Sequence, residues 1–150
     1  PYHVKQYNNR WFLFCFNEDY KTISNYPLDR INSIEELSNS FIPSTINWLD
    51  YFDDIIGVTK PEGGKLEKTH LKFSEKRIHY VLTKPLHGSQ KLDRSDPTGR
   101  TISIEVIPNN ELYQLLLSFG ADIEVISPKL VRVEIINKIK LMSNQYDYAE

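Results

Sequence analysis

From residue 66 onward the hydrophobic period changes back and forth between two and about 3.6, and the order of those changes admits few folds. "EKTHLKFS" alternates, with Leu71 and Phe73 on one face of a strand. Ser74 then caps a helix over "SEKRIHYVLTK", whose Ile78, Val81 and Leu82 face inward. "HGSQKLDR" reads as a strand and "SDPTG" as a turn. "RTISIEVIP" alternates cleanly, with Ile102, Ile104 and Val106 on one face. "NNELYQLLLSFG" carries a helical stripe of Leu112, Leu115, Leu116 and Phe119 and stops at Gly120. "ADIEVIS" is a strand, and "SPKLVRVEIINKIKLMSNQY" is a long helix with Ser127 as cap and Pro128 in its first position. A βαββαβ order followed by one more helix is the ferredoxin-like split βαβ arrangement.

The earlier residues follow another pattern. "YHVKQYNN" alternates and ends in the turn signal Asn8-Asn9. "RWFLFCFN" places Trp11, Leu13 and Cys15 on one face and Phe12, Phe14 and Phe16 on the other. A strand apolar on both faces is expected to be buried on both sides. "TISNYPLDRI" reads as a third strand, with a short fourth one near Ile34. Ile46, Leu49, Phe52 and Ile56 then recur at helical spacing, with Ser44 or Thr45 as cap and Gly57 as stop. "TKPEGGK" breaks the pattern. The expected organisation is a β unit over 1–44, a connector helix and linker over 45–65, and the βαββαβ unit over 66–150. The fold class is α+β.

Bulk properties exclude several functions. A hydrophobic content of 40% and a charged content of 25% are enough to build a core. A net charge of −2 excludes a polycation that coats nucleic acid. Residues 58–100 nevertheless carry 10 basic against 5 acidic residues, a local +5 that makes a candidate anion-facing surface. The single cysteine, Cys15, allows no disulfide framework within the chain and fits a reducing, cytoplasmic setting. No apolar run reaches the roughly 18 residues of a membrane span. His3, His70, His79 and His87 lack metal-ligand spacing, and neither a P-loop nor a GxSxG or GxGxxG motif occurs. Asp53 and Asp54 are adjacent on a helix and point about 100° apart, so they cannot work as an acid–base pair. No enzyme activity, cofactor or metal is expected.

Residues 1–31 resemble the second half of a WYL domain. The family's Arg-Trp-Tyr-Leu strand stands here as Arg10-Trp11-Phe12-Leu13, after Pro1 and the Asn8-Asn9 turn, and the family's closing Leu-Asp-Arg-Ile is Leu28-Asp29-Arg30-Ile31. Phe12 replaces the family tyrosine, which removes a hydroxyl. "PLHGSQK", "PNNELYQLLLSFGADIEVISPKLV" and "MSNQY" resemble the WCX extension that follows WYL domains. The resemblance implies an incomplete Sm-like small β-barrel followed by a ferredoxin-like domain with an extra C-terminal helix. It also implies a bacterial transcription regulator whose first barrel strands and N-terminal helix-turn-helix lie outside this chain, which begins at Pro1 without a methionine.

In such proteins the WYL domain senses single-stranded DNA or another nucleotide-type effector, promoter DNA is bound by the N-terminal domain, and dimers are common. Recognising a phosphate backbone takes arginine and lysine, and unstacked bases take aromatic faces. Residues 1–31 supply both, with Arg10 and Arg30 expected on neighbouring strands and Tyr2, His3, Lys5, Tyr7 and Tyr26 close by. Arg30 matches the arginine of the family's Leu-Asp-Arg-Ile. In the second unit Lys84, His87, Gln90 and Lys91 extend the candidate surface. Two other readings stand beside this one: a pocket for a small modified or cyclic nucleotide, and a structural dimerisation module with no ligand.

Overall fold

The computed structural model describes residues 1–146, so the last four residues of the expected 66–150 unit lie outside the described residues. Strands β1 (His3–Tyr7), β2 (Arg10–Asn17) and β3 (Thr22–Pro27) form an antiparallel sheet in that order. Asn8 and Asn9 join β1 to β2 with φ of 47° and 61°. Two consecutive left-handed residues are what a type I′ hairpin turn requires, and asparagine tolerates that region better than other side chains.

The third strand is shorter than the sequence pattern suggests. It ends at Pro27, which cannot donate to a ladder, and Leu28–Arg30 form one 3-10 turn. Arg10 and Arg30 are therefore not on neighbouring strands. No strand forms near Ile34, which is 85% exposed. The sheet does not close into a barrel among the described residues.

The connector helix α1 (Trp48–Asp53) also starts later than expected. Its cap is Asn47, not Ser44 or Thr45, and the Asn47 side chain accepts from the Leu49 N–H at 3.2 Å. Leu49 turns to solvent at 81% exposure. Trp48, Tyr51 and Phe52 turn inward instead, with ring centroids 5.7, 6.2 and 5.0 Å from that of Phe14. This corrects the expectation that the β2 run is buried on both sides. Phe14 is 1% exposed, but Trp11 is 49% exposed, and Val4 and Tyr26 on the same face are exposed too. One helix of six residues covers one face of the sheet and leaves the other open.

The second sheet contains β4 (Glu67–Phe73), β5 (Lys91–Leu92), β6 (Thr101–Val106) and β7 (Ile123–Ser127) in the order β5-β6-β4-β7, antiparallel throughout. Helix α2 (Glu75–Thr83) follows β4, α3 (Asn110–Leu117) follows β6 and α4 (Lys129–Tyr146) follows β7. This is the ferredoxin-like order. Leu71 and Phe73 of β4, Ile102, Ile104 and Val106 of β6, and Val125 of β7 form the buried face with Ile78, Val81, Leu112 and Leu116 of the helices.

Several local details depart from the pattern. The Ser74 hydroxyl does not cap α2; it donates to Asp122 at 2.7 Å. Strand β5 shrinks to two residues because the Gln90 side chain turns back, accepting from Leu86 N–H and donating to the Val81 carbonyl. Helix α4 begins at Lys129, with the Pro128 carbonyl accepting from Arg132 N–H at 3.1 Å. Pro128 is therefore the cap, not the first helical residue. Ser127 ends β7, and its hydroxyl lies 2.9 Å from His70 Nδ1.

Candidate functional site

The two sheets meet over a short buried strap, residues 55–58, just beyond α1. Its backbone serves both sides. The Asn25 side chain of β3 donates to the Val58 carbonyl at 2.8 Å. Asn109, the cap of α3, donates to the carbonyls of Ile56 and Thr59, each at 2.8 Å, while its Oδ1 accepts from Leu112 N–H at 2.8 Å. The Ile107 N–H donates to the Asp54 carbonyl at 2.6 Å. Gly57 has φ of 86°, and a Cβ there would stand 2.7 Å from Glu111 Cγ. Glycine is needed at this close approach for both reasons.

Beside the strap lies a cavity of about 420 Å³. Tyr7, Arg10 and Phe12 reach it from the hairpin, Asn25 from β3, and Asn110, Glu111 and Gln114 from α3. Arg10 is paired with Tyr7 in register and forms an ion pair with Asp29 at 3.3 Å. With Asn8 of the hairpin turn, the cavity thus combines a guanidinium, two aromatic rings and four side-chain amides. Burial pushes the Tyr7 phenol above its usual pKa, and the nearby Glu111 carboxylate acts in the same direction.

The other sequence candidates are distributed elsewhere. His3 stacks on Trp48, with ring centroids 5.2 Å apart and planes at 6°. The Lys5 ammonium lies 3.8 Å from the centre of the Phe52 ring. Burial lowers the Lys5 pKa, and the Asp53 carboxylate opposes the shift. Tyr2 packs against Phe41 and Trp48. These three belong to the aromatic packing between the sheet and α1. Tyr26 is on the opposite, open face and accepts from the Asn17 amide at 2.6 Å. Arg30 is exposed and has no ion-pair partner among the described residues.

In the second unit, Gln90 ties its own loop together, and Lys91 is exposed on β5. Lys84 ends α2. His87 is half-buried, with Nδ1 2.8 Å from the Ser89 hydroxyl. Burial pushes its pKa below the ordinary value of 6.5; Lys5 adds to that, while Asp53 and Asp54 oppose it. The structure therefore brings Lys5 and His87, 82 positions apart in sequence, into one charge cluster around the end of α1.

A depressed histidine pKa makes the neutral ring the stabilising form. That contribution is present above the ordinary pKa and is lost as pH falls from there through the folded value. Acidification from about pH 7.5 to about pH 5.5 should therefore lower the thermal midpoint more in wild type than in His87→Gln. Equal slopes for the two proteins would remove His87 from the pH response.

Sequence reading did not include Asn25, Asn110 or Gln114 in the site. Their signal is weak, because an amide side chain near a turn or a helix start reads as a local cap. Among the described residues no group of three or more His, Cys, Asp or Glu could hold a metal ion, and no helix is long and apolar enough to cross a membrane.

The WCX domain family model matches residues 65–143, more than half of the chain, and the WYL domain model matches residues 1–36. The chain belongs to the WCX domain family. Its WYL segment contributes Tyr7, Arg10, Phe12 and Asn25 to the cavity, and its WCX domain contributes the α3 residues. A solved structure similar to this chain is that of proteasome accessory factor B/C (PafBC) of Arthrobacter aurescens, at 16% identity and a TM-score of 0.45. The likeness covers 94% of this chain and 21% of that one. No curated protein matches the sequence.

Proposed function

We propose that this chain is the effector-sensing region of a bacterial transcription regulator. It binds single-stranded nucleic acid or a nucleotide-type ligand and passes the signal to a DNA-binding domain outside the chain. The supporting observation is the cavity lined jointly by the WYL segment and the WCX domain. Arginine suits phosphate, and Tyr7 and Phe12 suit a base. A ligand touching both units can bias their arrangement, provided its affinity differs between two states of the protein. The role is regulatory and non-enzymatic, promoter DNA is the partner of the external domain, and the setting is the cytoplasm.

Anisotropy of a labelled short single-stranded oligonucleotide tests the reading. Binding should weaken as salt rises, because phosphate contacts release counterions. Arg10→Ala should weaken it roughly tenfold. Arg30→Ala, which removes an exposed guanidinium one residue from Asp29 in sequence, should weaken it as well. Absence of binding at low salt to both oligonucleotides and mononucleotides would overturn the proposal.

A dimerisation module without a ligand is the second reading. It is favoured by an apolar groove of about 450 Å³ between α3, β7 and α4, lined by Leu116, Ile123, Val125, Ile135, Ile139 and Met142. A concentration-independent dimer in sedimentation, with no ligand response, would select it.

A further inference from the structure

A second groove, of about 410 Å³, runs between α2 and α3 on the helical side of the WCX domain, away from the strap cavity's lining residues. Tyr80, 47% exposed, lines it. Two cations converge on this one ring. The Arg77 guanidinium carbon is 5.8 Å from its centroid and the Lys84 ammonium 5.9 Å. Arg77 is also 5.9 Å from the Phe119 ring and meets Asp122 through one nitrogen at 3.3 Å, which orients its planar fork along the groove. Lys84 has no carboxylate partner among the described residues. Leu86 and Leu115 supply an apolar wall.

We propose that this groove binds a nucleobase together with its phosphate. The base lies against Tyr80, and its phosphate meets the cations beside the ring, Arg77 and Lys84. The groove's volume suits a small ligand. An exposed ring flanked by cations is the arrangement that single-strand binders use, with sequence-tolerant stacking and ionic contacts to the backbone. The inference rests on the nucleic-acid reading above and adds a separate contact on the WCX domain. The base-plus-phosphate unit comes either from one position of a single strand or from a free mononucleotide.

Photocrosslinking of the full chain tests this, with a thymidine oligonucleotide carrying 5-bromodeoxyuridine and, separately, with 5-bromodeoxyuridine monophosphate. Cross-links are mapped to peptides, and affinities are measured in parallel. The expected result is a cross-link within residues 75–86 that survives Arg10→Ala and Tyr80→Phe. Tyr80→Ala and Lys84→Glu should each weaken this contact about tenfold. A cross-link with the oligonucleotide alone identifies a strand contact, and one with both probes identifies a nucleotide site. Either supports the proposal. Cross-links confined to residues 7–12 would leave the nucleic-acid reading standing and overturn this one. Absence of cross-links to any peptide would overturn both. Equal displacement by polyglutamate would show that the groove selects charge alone, and would overturn the base-binding part.

Discussion

Replacing Phe14 with alanine is expected to destabilise the WYL segment by about 3–5 kcal/mol. Phe14 is the one residue of the first sheet that is fully buried, and Trp48, Tyr51 and Phe52 of α1 all converge on its ring. The substitution removes their shared partner and leaves a cavity that a six-residue helix cannot close by itself. Trp48 stands close enough to report the change, so its fluorescence in a urea titration should show an earlier transition. Phe16→Ala, on the same face but exposed, should cost about 1 kcal/mol or less. Equal losses for the two variants would mean that packing against α1 is not what holds the sheet.

Asn109→Ala should cost about 3 kcal/mol. The residue is 4% exposed and makes three hydrogen bonds. Losing the cap accounts for about 1 kcal/mol. Leaving two strap carbonyls without a donor accounts for the rest. Asn109→Asp separates these contributions. It keeps an oxygen for Leu112 N–H but sets a carboxylate against the carbonyls of Ile56 and Thr59, so it should be no better than alanine. Chemical denaturation of both variants measures this. An aspartate variant close to wild type would show that the cap alone matters.

The ferredoxin-like unit was legible because its elements carry their own period. Alternation in β6 and the Leu112–Leu116 stripe in α3 are local signals, and both elements pack with the face that the pattern marks; in α2 Ile78 and Val81 turn inward as expected, but Leu82 is exposed. The first unit misleads for a physical reason. Six consecutive apolar residues, Trp11–Phe16, say that a strand is sticky on both faces, but burial depends on what lies across from it, and among the described residues only one face has a helix. The start of α1 was misplaced because Ser44, Thr45 and Asn47 are all capable caps, and inward packing of Trp48 and Phe52 decides among them.

The candidate site was half legible. Arg10 was singled out by its chemistry and does reach the cavity between the two units. The amides that fix the strap beside that cavity were hidden, because the partners of Asn25 and Asn109 lie 33 and about 50 residues away in sequence. His3 and Lys5 have the right chemistry for a ligand, but α1 engages both. No local pattern announces that a helix 45 residues downstream will cover them.

The strap has a consequence for how such a chain can vary in length. Its carbonyls at Ile56 and Val58, and that of Thr59 just beyond it, are claimed in fixed register by amides from both sides. An added or deleted residue there would put at least one donor opposite the wrong group. A few residues further on, Gly63 has open space around it, and lengthening the chain at such a turn costs little entropy, while its neighbour Gly64 lies against Ile107 and has to keep its place. Insertions and deletions that accumulate between the WYL segment and the WCX domain therefore belong near Gly63, while the strap keeps its length.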